Sequence, residues 1–152
     1  MFQLPQIGCV KLITVRPTKG GTIKKLNRSN ISIESGLEED YKTGEGGNRM
    51  VTLFQFEHIA VLSAILEKQV LFDQLRRNLF ISKINLLALH NKTFKIGNDI
   101  ILKGTGYCVP CKQMEQNLGP GGYFAMIGHG GITATVIGSG QITLNDKVQL
   151  LE

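Results

Sequence analysis

Cys108-Val109-Pro110-Cys111 sets two thiols three positions apart around a proline. Metal binding, dithiol exchange, a disulfide and plain packing all use such a pair, so the rest of the chain has to discriminate among them. A structural zinc site needs about four ligands, usually as two close pairs. Only Cys9 and the histidines His58, His90 and His129 remain to complete one, and none stands at a metal-ligand spacing. A thioredoxin-like dithiol sits at the start of a long helix in a βαβ unit. Here Lys112 to Leu118 is short, and LGPGG stops it at once. Buried, unreactive cysteines are common, but Pro110 and Lys112 point to partial exposure. A single thiolate that ligates a soft metal centre fits the counts best, because it asks for one cysteine and an anion-binding pocket.

Downstream, LGPGGYFAMIGHGGITATVIGSG holds eight glycines between positions 119 and 140. Glycine lets a backbone approach a ligand and aim N–H groups at phosphate or oxo atoms, and several of these also serve as turns. No GxGxxG opens a helix after a strand and no GxxxxGK[ST] occurs, so dinucleotide and P-loop readings find no support. His129, between Gly128 and Gly130, reads either as a proton donor or ligand, or as a positional residue of the glycine loop.

The chain has 152 residues, 42% hydrophobic and 19% charged, enough to bury a core as one domain over 1–152. The opening MFQLPQIGCVKL has no basic n-region, and Pro5 and Gly8 interrupt its apolar stretch, which predicts no signal peptide. The longest apolar runs are far too short to span a bilayer. A cytoplasmic location with no membrane partner is therefore expected, with Cys9, Cys108 and Cys111 as free thiols; the odd count of three cysteines also argues against a secreted disulfide framework. The net charge of +5 is compatible with an anionic partner. Lys and Arg are scattered, and no aromatic residues are interleaved with them as a base-stacking platform, so nucleic acid is not expected; a small phosphorylated ligand would need only two or three cations.

The elements that must position these residues read mostly as strand: 10–15, 30–33, 50–56, 79–84, 93–96, 100–103, 133–137, 141–144 and 147–151, each short and bounded by Gly, Asn or Asp. Hairpins are predicted at Gly97-Asn98, at Gly138-Ser139-Gly140 and near Asn145-Asp146. So many short strands predict a mainly β fold, a closed or nearly closed β-barrel with a few short helices. Residues 57–67 predict a helix with Ile59, Leu62, Ile65 and Leu66 on one face, and a shorter one is predicted around 72–77. The segment 34–48, with glycines at 36, 44, 46 and 47 and several acids, reads as a long loop of the kind that often serves function.

The run from Arg76 to Val148, with the CVPC and glycine segments inside it, resembles closely the small stand-alone MOSC domains, named after the C-terminal domain of molybdenum cofactor sulfurase. GLEED at 36–40 and RMVTLFQFEH at 49–58 resemble that family's GLxGD and QVTLIQxEH segments. The resemblance implies a β-barrel and binding of the pterin-based molybdenum cofactor, or sulfur carriage; relatives in the amidoxime-reducing group reduce N-hydroxylated compounds. It assigns Cys111 as metal ligand or persulfide site, with Cys108 as an accompanying residue. Arg77 and Asn78 match the Arg-Asn pair before the central strand and suit a phosphate grip, Arg being a planar fork. Arg49 and Lys112 join Arg77 in a provisional basic set that favours the thiolate and neutralises the phosphate. Asp40 matches the family's loop acid, and Tyr41 stands where histidine often follows.

Three functions follow as expectations. The first is a molybdenum-cofactor-dependent oxidoreductase component, with Cys111 on the metal and His129 as a further catalytic candidate. It would draw electrons from a separate donor protein, since three cysteines cannot supply a four-cysteine cluster and no flavin or haem signature is visible. The second is a sulfur carrier with a persulfide on Cys111, loaded by a sulfur donor. The third is a ligand-binding barrel without chemistry.

Overall fold

The computed structural model describes residues 2–41, 47 and 50–152. Eleven strands lie among them: β1 Gly8–Val15, β2 Lys24–Leu26, β3 Arg28–Ser32, β4 Gly36–Leu37, β5 Val51–Gln55, β6 Leu79–Ser82, β7 Thr93–Ile96, β8 Ile100–Tyr107, β9 Ile132–Gly138, β10 Gly140–Thr143 and β11 Lys147–Leu150. Three short helices, α1 His58–Leu66, α2 Lys112–Leu118 and α3 Gly122–Ala125, and 3-10 turns at Phe72–Gln74 and Leu86–Leu89 complete the set.

Seven strands close on themselves in the order β1-β11-β7-β8-β9-β5-β6 and back to β1. Closure comes from β1, which pairs with β6 on one edge (Cys9 opposite Ser82) and with β11 on the other (Gly8 opposite Val148). Its far end pairs instead with β2, Ile13 opposite Leu26. Closing the sheet removes the long exposed edges that an open sheet of short strands would carry. Every neighbouring pair in the ring is antiparallel except β5 and β6, which run parallel with Leu53 opposite Leu79. A parallel pair cannot be joined by a tight turn, and residues 56–78, with α1 and the first 3-10 turn, make the crossover.

That crossover explains why β5 and β6 read as continuous apolar runs. Side chains alternate across a strand, and here both faces are covered: Val51, Leu53, Leu79 and Ile81 fill the barrel, while Phe54 and Phe80 point outward into a second cluster with Leu62, Leu75, Met114 and Leu118. The outer cluster fixes α1 and α2 against the barrel wall, and α2 carries the chain out of the CVPC segment. On α1 only Leu62 is fully buried; Ile59 and Leu66 pack at its margin, and Ile65 is 52% exposed, so the expected apolar stripe is narrower than its spacing suggested.

The Gly97-Asn98 hairpin forms, with Gly97 at φ 64° between β7 and β8. The other two do not. Chain reversals occur at both places, yet β10 leaves the barrel to pair with β3, Gln141 opposite Asn30, in a separate sheet ordered β10-β3-β4. Ile31, Leu37 and Ile142 of that sheet seal against the barrel core. Part of the expected loop at 34–48 is therefore strand β4, and β2 is a further strand that the sequence reading omitted. The expected helix at 72–77 is only the 3-10 turn Phe72–Gln74. Among the described residues no helix is long and apolar enough to cross a membrane.

Candidate functional site

The sulfur of Cys111 opens into a cavity of about 390 Å³ whose walls also include Arg16, Lys19, Arg76, Arg77, Tyr41, Gln113, Met114 and Asn117. Cys111 is exposed, whereas Cys108 is only 6% exposed, so the two cysteines of the CVPC segment differ sharply in access. Four cationic side chains around one thiol give a field that attracts an anion.

Each wall residue is placed by a different part of the chain. Arg76 and Arg77 immediately precede β6. Asn117 donates from Nδ2 to the Gln74 carbonyl (2.9 Å) and Gln74 Nε2 donates to the Asn117 carbonyl (3.2 Å), a reciprocal tie that holds α2 against the segment carrying both arginines. Arg77 donates from Nε to the Gly130 carbonyl and from a terminal nitrogen to the Leu75 carbonyl, each at 3.0 Å, and Thr14 Oγ1 donates to the Arg77 carbonyl. Arg76, in the left-handed region at φ 54°, donates to the Gly21 carbonyl at 2.9 Å. Two successive arginines thereby point along different tethers, one toward the glycine loop after α3 and one toward the loop after β1.

Arg16 follows β1 and is fixed most firmly. Asp40, 5% exposed, accepts from the Arg16 backbone N–H (2.8 Å), from Nε (3.2 Å) and from a terminal nitrogen (3.0 Å). The Arg16 guanidinium also lies 5.0 Å from the centre of the Tyr41 ring, and the Tyr41 N–H donates to the Arg16 carbonyl at 2.6 Å. A bidentate, mostly buried pair of this kind defines a guanidinium's orientation as well as its charge.

The structure thus gathers Cys111 and Arg77 at one cavity and places the remaining sequence candidates elsewhere. Asn78 is 1% exposed, and its amide is committed to the protein: Oδ1 accepts from the N–H and hydroxyl of Thr52, and Nδ2 donates to the Thr14 carbonyl (3.2 Å) and to Asp40 Oδ1 (3.3 Å). It holds Asp40, which holds Arg16. Asp40 supports the site from beneath and is not one of its walls. Lys112 is exposed and is not among the residues that line this cavity. Arg49 lies outside the described residues. His129 lines a different cavity, beside His58.

Arg16, Lys19 and Arg76 were not singled out as site residues from sequence. RPTKGG at 16–21 carries the signal in part, two cations just ahead of a glycine pair and just past a strand, but only folding brings that loop against α2. Among the described residues no group of three or more His, Cys, Asp or Glu side chains is placed to hold a metal ion. A metal at Cys111 would therefore have to arrive with most of its ligands already attached.

A family model described as MOSC domain matches residues 40–149. Among solved structures, the YuaD protein of Bacillus subtilis superposes with a TM-score of 0.83 at 14% identity, covering 96% of this chain and 97% of that one. YiiM from Geobacillus stearothermophilus superposes at 0.76 with 11% identity (95% and 75% covered). YiiM from Escherichia coli does so at 0.71 with 16% identity (95% and 70% covered). No curated protein matches the sequence at a significant level. At these identities the solved structures share the fold.

Proposed function

Because the chain belongs to the MOSC domain family, we propose that the Cys111 cavity holds a pterin-based molybdenum cofactor and that the protein is an oxidoreductase component acting on N-hydroxylated compounds. The observation that carries this reading is the exposed Cys111 thiol in one cavity with Arg16, Lys19, Arg76 and Arg77. The donor set suits such a group: a thiolate is a soft ligand, a dithiolene-borne metal asks for few protein ligands, and the cations match an anionic phosphate tail.

When bound, the cofactor supplies two-electron redox chemistry at molybdenum. The chain's own contributions are separate. Cys111 offers the protein ligand. Arg16, pinned by Asp40, and Arg77, pinned by Gly130 and Leu75, hold charge at fixed positions, so an anion meets a prepared grip and does not have to order it. Lys19, on the more exposed loop, draws the anion in. Reduction of an N–OH group to N–H consumes two electrons and two protons and releases water; the electrons come from a separate donor protein. Cys111 exposure also favours a second reading, a persulfide carrier, since a partner must reach that sulfur to load it.

Metal analysis of protein from a molybdenum-replete host decides. Stoichiometric molybdenum that drops at least about ten-fold in Cys111→Ser and falls in Arg77→Met supports the cofactor. Metal-free protein carrying cyanolysable sulfur, lost in Cys111→Ser, supports the carrier instead. Equal metal in wild type and Cys111→Ser, with no labile sulfur, overturns both.

A further inference from the structure

Three stretches of the chain carry no Asp, Glu, Lys or Arg: residues 58–66, 104–111 and 116–145. The first is the whole of α1, the second is the end of β8 with the CVPC segment, and the third runs from within α2 through α3 and the glycine loop. In a chain with 17 basic and 12 acidic residues, stretches so bare of charge belong in a core. Yet much of their apolar surface faces outward.

α1 and the segment 121–129 lie side by side in opposite directions. His58 opens α1 and meets the His129 ring edge to face, with centroids 4.8 Å apart. At the other end of α1, a Cβ on Gly121 would stand 3.4 Å from Leu66 Cδ2. Both elements send their inner residues, Leu62 from one and Ala125 and Met126 from the other, into the same cluster outside the barrel. Their outward residues therefore share the opposite side: Val61 and Ile65, one turn apart on α1, and Phe124 and Ile127 beside them. Ile127 also lines a cavity of about 300 Å³ with Tyr107 and Val109, which carries the exposed apolar surface on to the CVPC segment.

Area and charge decide what suits this face. At about 200 Å² for a fully exposed residue of this size, these six and Tyr123, which packs edge to face on Phe124, present about 750 Å². That is more than the apolar patch of an ordinary monomer and close to the roughly 800 Å² that each partner contributes to a standard stable interface. The chain's net charge is +5, and its densest cationic group, Arg16, Lys19, Arg76 and Arg77, surrounds the Cys111 cavity. The borders of the apolar face carry acids as well as bases: Glu57 and Glu67 at the two ends of α1, Lys68 beside Glu67, and Glu115, which accepts from the Tyr123 N–H at 2.9 Å. A second copy approaching here meets no excess of like charge. An uncharged apolar face is also its own complement under a two-fold axis.

We propose that this face is the interface of a homodimer, in which α1 and residues 121–129 of one copy pack on the same elements of the other, with Phe124 as an anchor. No residue of the face lines the Cys111 cavity, so the dimer leaves that cavity open and does not depend on what it holds.

Sedimentation velocity of the full chain from about 1 to about 100 µM is the test. Wild type should form a dimer with a dissociation constant of about 10 µM or tighter. Salt at about 0.5 M should not weaken it, since no ion pair holds it. Phe124→Glu and Ile65→Glu should each weaken association at least about thirty-fold while keeping the wild-type far-ultraviolet circular dichroism. The two lie on different segments, so one decides if the other misfolds. Ile33→Glu, at a half-exposed apolar residue between β3 and β4, should leave association unchanged. A monomer at about 100 µM overturns the proposal. So does a dimer that keeps its affinity in a folded Glu variant of the face, or one that Ile33→Glu dissolves equally. Molybdenum content should be the same in Phe124→Glu and wild type, so this proposal and the cofactor reading fail separately.

Discussion

Arg77 Nε donates to the Gly130 carbonyl across 3.0 Å, and this one bond joins a wall of the Cys111 cavity to a glycine loop that lines a separate cavity of about 300 Å³ with Tyr107 and Val109. Gly131, next in the chain, accepts from the Cys108 N–H at 2.9 Å. The glycine loop, the CVPC segment and the arginine are therefore one mechanical unit, and changes in any of them should be felt in both cavities.

Gly131 is the most constrained point of that unit. It sits at φ 84°, and a Cβ would collide with the Leu53 carbonyl. Gly131→Ala should cost about 3 kcal/mol of stability through strain and backbone displacement. Urea denaturation gives the value; a loss under about 0.5 kcal/mol would show that the loop relaxes freely.

Asp40 stabilises the fold through Arg16. With Asp40 5% and the Arg16 side chain 12% exposed, removing the carboxylate leaves a largely buried guanidinium without its partner. Asp40→Ala should destabilise by about 3 kcal/mol. In a double-mutant cycle with Arg16→Met the two losses should be strongly non-additive. Additive losses would mean that Asp40 stabilises the fold through contacts other than the one to Arg16.

The three thiols should separate by access. Iodoacetamide should modify Cys111 first, Cys9 more slowly and Cys108 only on unfolding, as followed by peptide mass spectrometry. Inorganic phosphate at low ionic strength should slow the reaction at Cys111, since it competes for the same cations. Comparable rates at Cys108 and Cys111 would contradict the burial of Cys108.

His58 carries a pH signature. Its folded pKa lies below the ordinary 6.5, through burial first and the neighbouring His129 second. The unfolded chain therefore binds the proton more readily, so stability is unaffected well above pH 6.5, declines as pH falls through 6.5, and levels off below the folded value. His58→Gln should flatten that part of the stability profile. An unchanged slope would assign it to other groups.

The sequence by itself determined the barrel class, most strands, the helix at α1 and the Gly97 hairpin, because strand periodicity and turn chemistry act over a few residues. It also drew attention to Cys111 and Arg77. It did not reveal that β10 deserts β9 for β3, since Gly138-Ser139-Gly140 dictates a reversal but not the partner, and Gln141 and Asn30 lie far apart in the chain. Nor could it assemble the basic cavity. Arg16, Lys19 and Arg76 are ordinary surface cations in the sequence, and only the crossover between β5 and β6, the Asp40 clamp and the tie between α2 and Gln74 bring them beside one sulfur. The same packing sends His129 to His58 and away from Cys111. Local pattern encodes elements, whereas a site depends on contacts between distant segments, whose free energies are set by burial and hydrogen bonding in three dimensions.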